Sequence, residues 1–213
     1  MPAYRVLLVE DDTFARTTMA AALAAAGLDI ALATNQPAAA VRACGERRVD
    51  VALLDLDLGP GPTGIDLAVL LRRTQPDIGI LFLTSYSDPR LLGSGNQSLP
   101  AGARYLTKSK LEDMRPLLSL IAQVAASPLR APAAKSSGEF DLTDHQITVL
   151  QLVAEGLSSG EIAQRLGVSQ KAIEASISRI NVALGIEKTK SENVRVQLAR
   201  SYFRLTGRKP PRG

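Results

Sequence analysis

The stretch "DVALLDLDLGPGPTG", residues 50–64, joins an apolar run to a pair of acids and a turn-forming loop. An apolar run, Val51 to Leu54, ends in two aspartates, Asp55 and Asp57, and then in a loop rich in glycine and proline. Such a run closed by turn residues reads as a strand, with Asp55 at its carboxyl end. Four more runs of the same kind surround it: "RVLLV" (5–9), "DIALAT" (29–34), "IGILFLT" (78–84) and "ARYLT" (103–107). Between them, residues 14–26, 37–48, 64–73 and 110–126 read as helices, the first closed by Gly27 and the second opened by Pro37 in its first turn. Five strands alternating with helices predict a parallel, doubly wound α/β sheet covered on both faces.

In such sheets the functional groups gather just past the carboxyl ends of the strands. There this sequence places Glu10, Asp11 and Asp12 after the first strand, Asp55 after the third, Thr84 and Ser85 after the fourth, and Lys108 after the fifth. Carboxylates from two strands make an incomplete set of hard oxygen ligands, which suits Mg²⁺, an ion that keeps waters and shares its shell with a phosphate. With the cation screening its neighbours, an ionised Asp55 could attack a phosphorus centre, while Thr84 and Lys108 hold the phosphoryl oxygens. A D-x-D pair after a strand is also compatible with an aspartate-nucleophile phosphatase of the haloacid dehalogenase type. In that reading Asp55 attacks and Asp57 is the general acid, but no large insertion is available to close over a substrate.

Composition bounds the rest. The 213 residues are 46% apolar, enough for two modest cores, and no apolar run approaches the roughly 18 residues of a membrane helix. The N-terminus "MPAYRVLLVEDD" meets acid after a short run, with no signal cleavage site, so a cytoplasmic location is expected. One cysteine, Cys44, and one histidine, His145, leave little for a disulfide, a metal cage or a Ser-His-Asp triad. Residues 1–126 hold 12 Lys/Arg against 13 Asp/Glu, whereas residues 127–213 hold 13 against 8, so the basic surplus sits entirely at the C-terminal end. That surplus suits a phosphate backbone as partner and equally a solvated face.

The border between the parts is "SPLRAPAAKSSGE", residues 127–139, a linker without apolar period. The expected division is therefore 1–126, linker, and 140–213. Beyond the linker the sequence predicts four short helices. Thr143 with Gln146 and Ser158 with Glu161 form capping boxes, Ser169 caps "QKAIEASISRINVALG", and Thr189 with Glu192 opens the last helix. Only "GVS" joins the second and third, the spacing of a helix-turn-helix. In the third, Ile173, Ile177, Ile180 and Leu184 form an apolar stripe, and Lys171, Glu174, Ala175 and Ser178 lie opposite, flanked by Gln170 and Arg179. A helical dimerisation module would have the same outline.

In order and spacing, "RVLLVEDDTFART", "DVALLDLDL", "ILFLTS" and "GARYLTK" resemble the flavodoxin-like receiver domain of bacterial two-component response regulators, over about the first 126 residues. The resemblance implies phosphorylation of Asp55 by a sensor histidine kinase. It also implies Mg²⁺ held by Glu10, Asp11, Asp55 and the backbone carbonyl of Asp57, with Lys108 binding the phosphoryl group. Thr84 becomes the hydroxyl switch and Tyr105 the rotating aromatic, where the residues alone allow a half-buried strand tyrosine. Catalysis is then confined to self-phosphorylation and slow self-dephosphorylation. The loop "GPGPTG" is one residue longer than the family's, and glycines and prolines stand at 87–100 where the family has a helix, so a short or irregular fourth helix is expected there.

"LTDHQITVLQLVAEGLSSGEIAQRLGVSQKAIEASISRINVALGI" resembles the LuxR-type DNA-binding domain (NarL/FixJ-like). The resemblance implies that the third helix enters the major groove of promoter DNA. Phosphorylation would shift the receiver surface and favour a homodimer able to hold two DNA half-sites. Glu174 and Ser178 stand where the family often has basic residues. Glu174 would take part in base reading, Ala175 could touch a thymine methyl, Gln170 and Ser178 are further DNA-binding candidates on this face, and Lys171, Arg179, Lys188 and Lys190 would supply phosphate attraction. The expectation is a transcription regulator controlled through Asp55. A regulator that binds DNA regardless of Asp55 is the contending reading.

Overall fold

A computed structural model describes residues 4–59, 61–86, 91, 99–108, 111, 113–129, 142–186 and 193–206. The first compact unit contains strands β1 (Arg5–Val9), β2 (Asp29–Thr34), β3 (Val51–Leu54), β4 (Gly79–Thr84) and β5 (Arg104–Thr107), with helices α1 (Thr13–Ala25), α2 (Pro37–Glu46), α3 (Gly64–Thr74) and α4 (Arg115–Ala126). The strands are all parallel in the order β2-β1-β3-β4-β5. The five expected strands are present, each within a residue of its expected bounds.

The three central strands are almost wholly buried because each lies between two helical layers. Val6, Leu8, Val51, Leu53, Leu81 and Leu83 pack on one face against Leu23 of α1 and Leu117, Ile121 and Val124 of α4. The alternate positions, Leu7, Val9, Ala52, Leu54, Ile80 and Phe82, turn to the opposite face. There α2 and α3 bury Ala40, Cys44, Ile65, Leu67 and Leu71.

Local signals account for most boundaries. Asp12 caps α1, its side chain accepting from the Ala15 N–H, and Pro37 occupies the first turn of α2. Thr63 and Asp66 form a capping box for α3. The helix expected over 110–126 begins only at Arg115: Pro116 falls in its first turn, where the missing N–H costs nothing. The irregular fourth helix expected at 87–100 falls mostly outside the described residues. Among those described, no α-helix separates β4 from β5.

The second unit holds α5 (Asp144–Ala154), α6 (Ser159–Leu166), α7 (Gln170–Ala183) and α8 (Val194–Thr206), and Tyr86 and Leu91 lie in its core. Capping boxes at Thr143/Gln146 and Ser158/Glu161 and the Ser169 cap start the first three helices as expected. The expected cap of the last helix, Thr189 with Glu192, lies outside the described residues. Gly167 turns the chain from α6 to α7 with φ +67°, a left-handed conformation that favours glycine. Ile173, Ile180 and Leu184 are buried with Ile162, Leu150 and Leu198, and Ile177 packs at the edge of this core.

Candidate functional site: an acidic pocket and an exposed helix

The strand order reverses direction between β1 and β3, so the loops after them diverge to opposite sides and leave a crevice at the carboxyl edge. The Asp55 N–H donates to the Val9 carbonyl (2.9 Å), which carries the β1–β3 ladder one step past the strands and fixes Asp55 beside Glu10. Both side chains are buried, whereas Asp11 is exposed. Carboxylate oxygens of Glu10, Asp11 and Asp55 all lie within 4.8 Å of one another. Lys108, one residue past β5, reaches back so that its Nζ donates to Glu10 Oε2 (2.7 Å) and Asp55 Oδ2 (2.6 Å). Three carboxylates around one ammonium leave a pocket of formal charge −2.

The titration behaviour follows from that geometry. Burial pushes the Glu10 carboxyl up to about 7, against the hydrogen bond from Lys108, and the neighbouring Asp55 charge adds to the rise. Burial likewise raises Asp55, opposed by Lys108 and by the N–H groups of Asp57 and Leu56. Burial works against the Lys108 charge, but Asp55 and Glu10 outweigh it and the ammonium is held more tightly than usual. Glu10 Oε1 is buried without a hydrogen-bond partner. A buried orphan oxygen in a net-negative cluster of hard ligands fits a divalent cation with oxygen preference, Mg²⁺ above all.

The other predicted groups have clear places. Thr84 is buried at the end of β4 and in register with Thr107, the residue before Lys108. Tyr105 is half-buried on β5 opposite Phe82. The Asp57 N–H donates to Asp55 Oδ1 (3.3 Å), and Asp57 Oδ1 accepts from the Gly59 N–H (3.3 Å).

Two contributors escaped the sequence reading. A Cβ on Gly64 would lie 2.0 Å from the Asp55 carbonyl oxygen, so the start of α3 approaches Asp55 as only glycine allows. Its N–H donates to the Leu56 carbonyl (2.9 Å). Arg16, on α1, folds back so that Nη1 donates to the Glu10 carbonyl (2.8 Å) and the Asp11 carbonyl (3.2 Å). Its signal in sequence is only a long cation in the first turn of a helix, where side chains lean toward the N-terminus.

On α7, Gln170, Lys171, Glu174, Ala175, Ser178 and Arg179 are all exposed, on the side away from Ile173 and Ile180. Gln170 Nε2 donates to Glu174 Oε1 (2.9 Å), and the Ser178 hydroxyl donates to the Glu174 carbonyl (3.1 Å). Lys188 and Lys190 lie outside the described residues.

Residues 6–118 match the response regulator receiver domain, and residues 141–195 match the luxR family of bacterial regulatory proteins. The DNA-binding transcriptional activator DevR/DosR of Mycobacterium tuberculosis is 32% identical over 222 residues, covering 97% of each chain. The oxygen regulatory protein NreC of Staphylococcus epidermidis is 28% identical, over 74% of this chain and 79% of that one. Among solved structures, RcsB of Salmonella typhimurium superimposes with a TM-score of 0.55 at 21% identity, over 97% of this chain and 100% of that one. RcsB of Salmonella enterica serovar Typhimurium, bound to the promoter rprA with a phosphomimetic, gives 0.54 at 20%, over 93% and 98%. The chain belongs to the two-component response regulators that join a receiver domain to a LuxR-type DNA-binding domain. Its relatives are transcription regulators rather than enzymes.

Proposed function

We propose that this regulator is switched by phosphorylation of Asp55 from a sensor histidine kinase in the cytoplasm, and that phosphorylation favours a homodimer that holds two DNA half-sites. The contact of Lys108 Nζ with both Glu10 and Asp55 carries the reading, because it sets the cation that would bind phosphoryl oxygens against the carboxylate that would accept them. Glu10, Asp11, Asp55 and the carbonyl of Asp57 would hold Mg²⁺, which when bound would offset the pocket's negative charge and so let anionic phosphoryl oxygens approach. An oxygen of Asp55 attacks the phosphorus of the phosphohistidine as the P–N bond breaks, and the imidazole leaves with the bonding pair. Lys108 transfers its hydrogen bond from Asp55 to a phosphoryl oxygen, Thr84 follows with its hydroxyl, and Tyr105 repacks on β5. The phosphatase reading needs the Asp57 carboxyl as a general acid, yet its Oδ1 is engaged with the Gly59 N–H in the loop.

The domain limits of this reading are 1–126 and 140–213. In the second, α7 would lie in the major groove. Lys171, Arg179, Lys188 and Lys190 would attract phosphates, and Gln170, Glu174, Ala175 and Ser178 would face the bases. The intact mass after incubation with Mg²⁺ and a small phosphodonor tests the acceptor. Wild-type protein gains one phosphoryl group and Asp55→Asn gains none. Equal labelling of both would place the acceptor elsewhere.

A further inference from the structure

We propose that Arg16 is a positioning residue for the cation site: its guanidinium holds the Glu10–Asp11 backbone so that the two carboxylates bind Mg²⁺, although its own charge opposes the ion. The inference rests on the metal reading above. Arg16 is half-buried and spans the acidic loop with three contacts: Nη1 on the carbonyls of Glu10 and Asp11, and Nη2 on the Thr13 hydroxyl (3.2 Å). The rest of the loop is tied as well, since the Asp12 N–H donates to Asp11 Oδ1 (2.9 Å) and Asp12 Oδ1 accepts from the Ala15 N–H (2.7 Å). Glu10 Oε1 is buried and unpartnered beside the cluster.

The two things an arginine can do here have opposite signs. A positive charge near the pocket repels Mg²⁺, so removing it should tighten binding if charge were all that counted. Clamping two successive peptide carbonyls fixes the planes from which the Glu10 and Asp11 side chains leave, so removing it should loosen binding. Groups that orient ligands in this way are worth about 10- to 100-fold in metal affinity. The contacts lie on backbone oxygens and not on the carboxylates, so the orienting effect is expected to win.

Calorimetric titration of the full chain with Mg²⁺ decides the sign. Arg16→Met should weaken Mg²⁺ binding by about tenfold, and Arg16→Lys, whose single ammonium reaches one carbonyl at a time, should restore part of it. Phosphorylation of Arg16→Met should be slow at limiting Mg²⁺ and approach the wild-type rate at saturating Mg²⁺. Unchanged or tighter Mg²⁺ binding by both variants, beside a wild type that binds, would overturn the role of Arg16 alone. A wild type that binds no Mg²⁺ would overturn both this role and the metal reading beneath it.

Discussion

Glu10 and Asp55 occupy a place where water cannot stabilise their charges and one lysine must serve both. The consequence for Glu10 is a carboxyl that retains its proton up to about pH 7 in the folded chain, whereas the unfolded chain loses it near 4.5. Between these values the folded state binds more protons, so this group's contribution to stability is present below 4.5 and is lost as pH rises through about 7. In the proposed site Mg²⁺ would take the place of that proton. The melting temperature should therefore rise more on adding Mg²⁺ at about pH 8 than at about pH 6; an equal rise at both would contradict the assignment. Gly64 makes a second residue-scale prediction. The backbone atoms of Asp55 and Leu56 that a Cβ would meet, at 2.0 to 3.0 Å, cannot step aside without moving Asp55, the proposed acceptor. Gly64→Ala should cost about 1–3 kcal/mol in denaturant unfolding and slow phosphorylation, and a variant with wild-type values would show that the approach tolerates a side chain.

At the scale of elements, strands were legible because each is an apolar run closed by a carboxylate, a hydroxyl or a turn, and helices because Pro37, Gly27, Thr143, Ser158 and Ser169 mark their ends. The start of α4 was not legible, since residues 110–114 have the composition of a helix and Pro116 fixes only where the first turn falls. The acidic cluster was legible because a parallel sheet brings strand ends together whatever its details. Arg16 and Gly64 were not, because both act on backbone atoms whose positions exist only after the loops have formed. Asp12, left without a role beside the acidic pair, is the cap of α1. On α7 the Gln170–Glu174 hydrogen bond presents a carboxylate in the middle of the face proposed to read bases. A carboxylate accepts from cytosine N4 and repels phosphate. Glu174→Lys should shift the preferred sequence in a selection from random DNA, and an unchanged preference would take Glu174 out of the reading.

The molecule as a whole divides its chemistry between two units. The acidic pocket belongs to the sheet, and the basic surplus belongs to the C-terminal part, with 13 Lys/Arg against 8 Asp/Glu after residue 126. No helix among the described residues is long and apolar enough to cross a membrane. Family membership supplies the link between a receiver and a DNA-binding module; in the proposed function that link runs through Asp55. The direct test is the affinity of the full-length protein for a selected DNA site, measured before and after treatment with Mg²⁺ and phosphodonor, beside Asp55→Asn. Phosphorylated wild type should bind at least about tenfold tighter, a coupling of roughly 1.4 kcal/mol, and Asp55→Asn should stay at the untreated level. Equal affinity of phosphorylated and untreated wild type would contradict the account and leave a regulator that binds DNA whatever the state of Asp55.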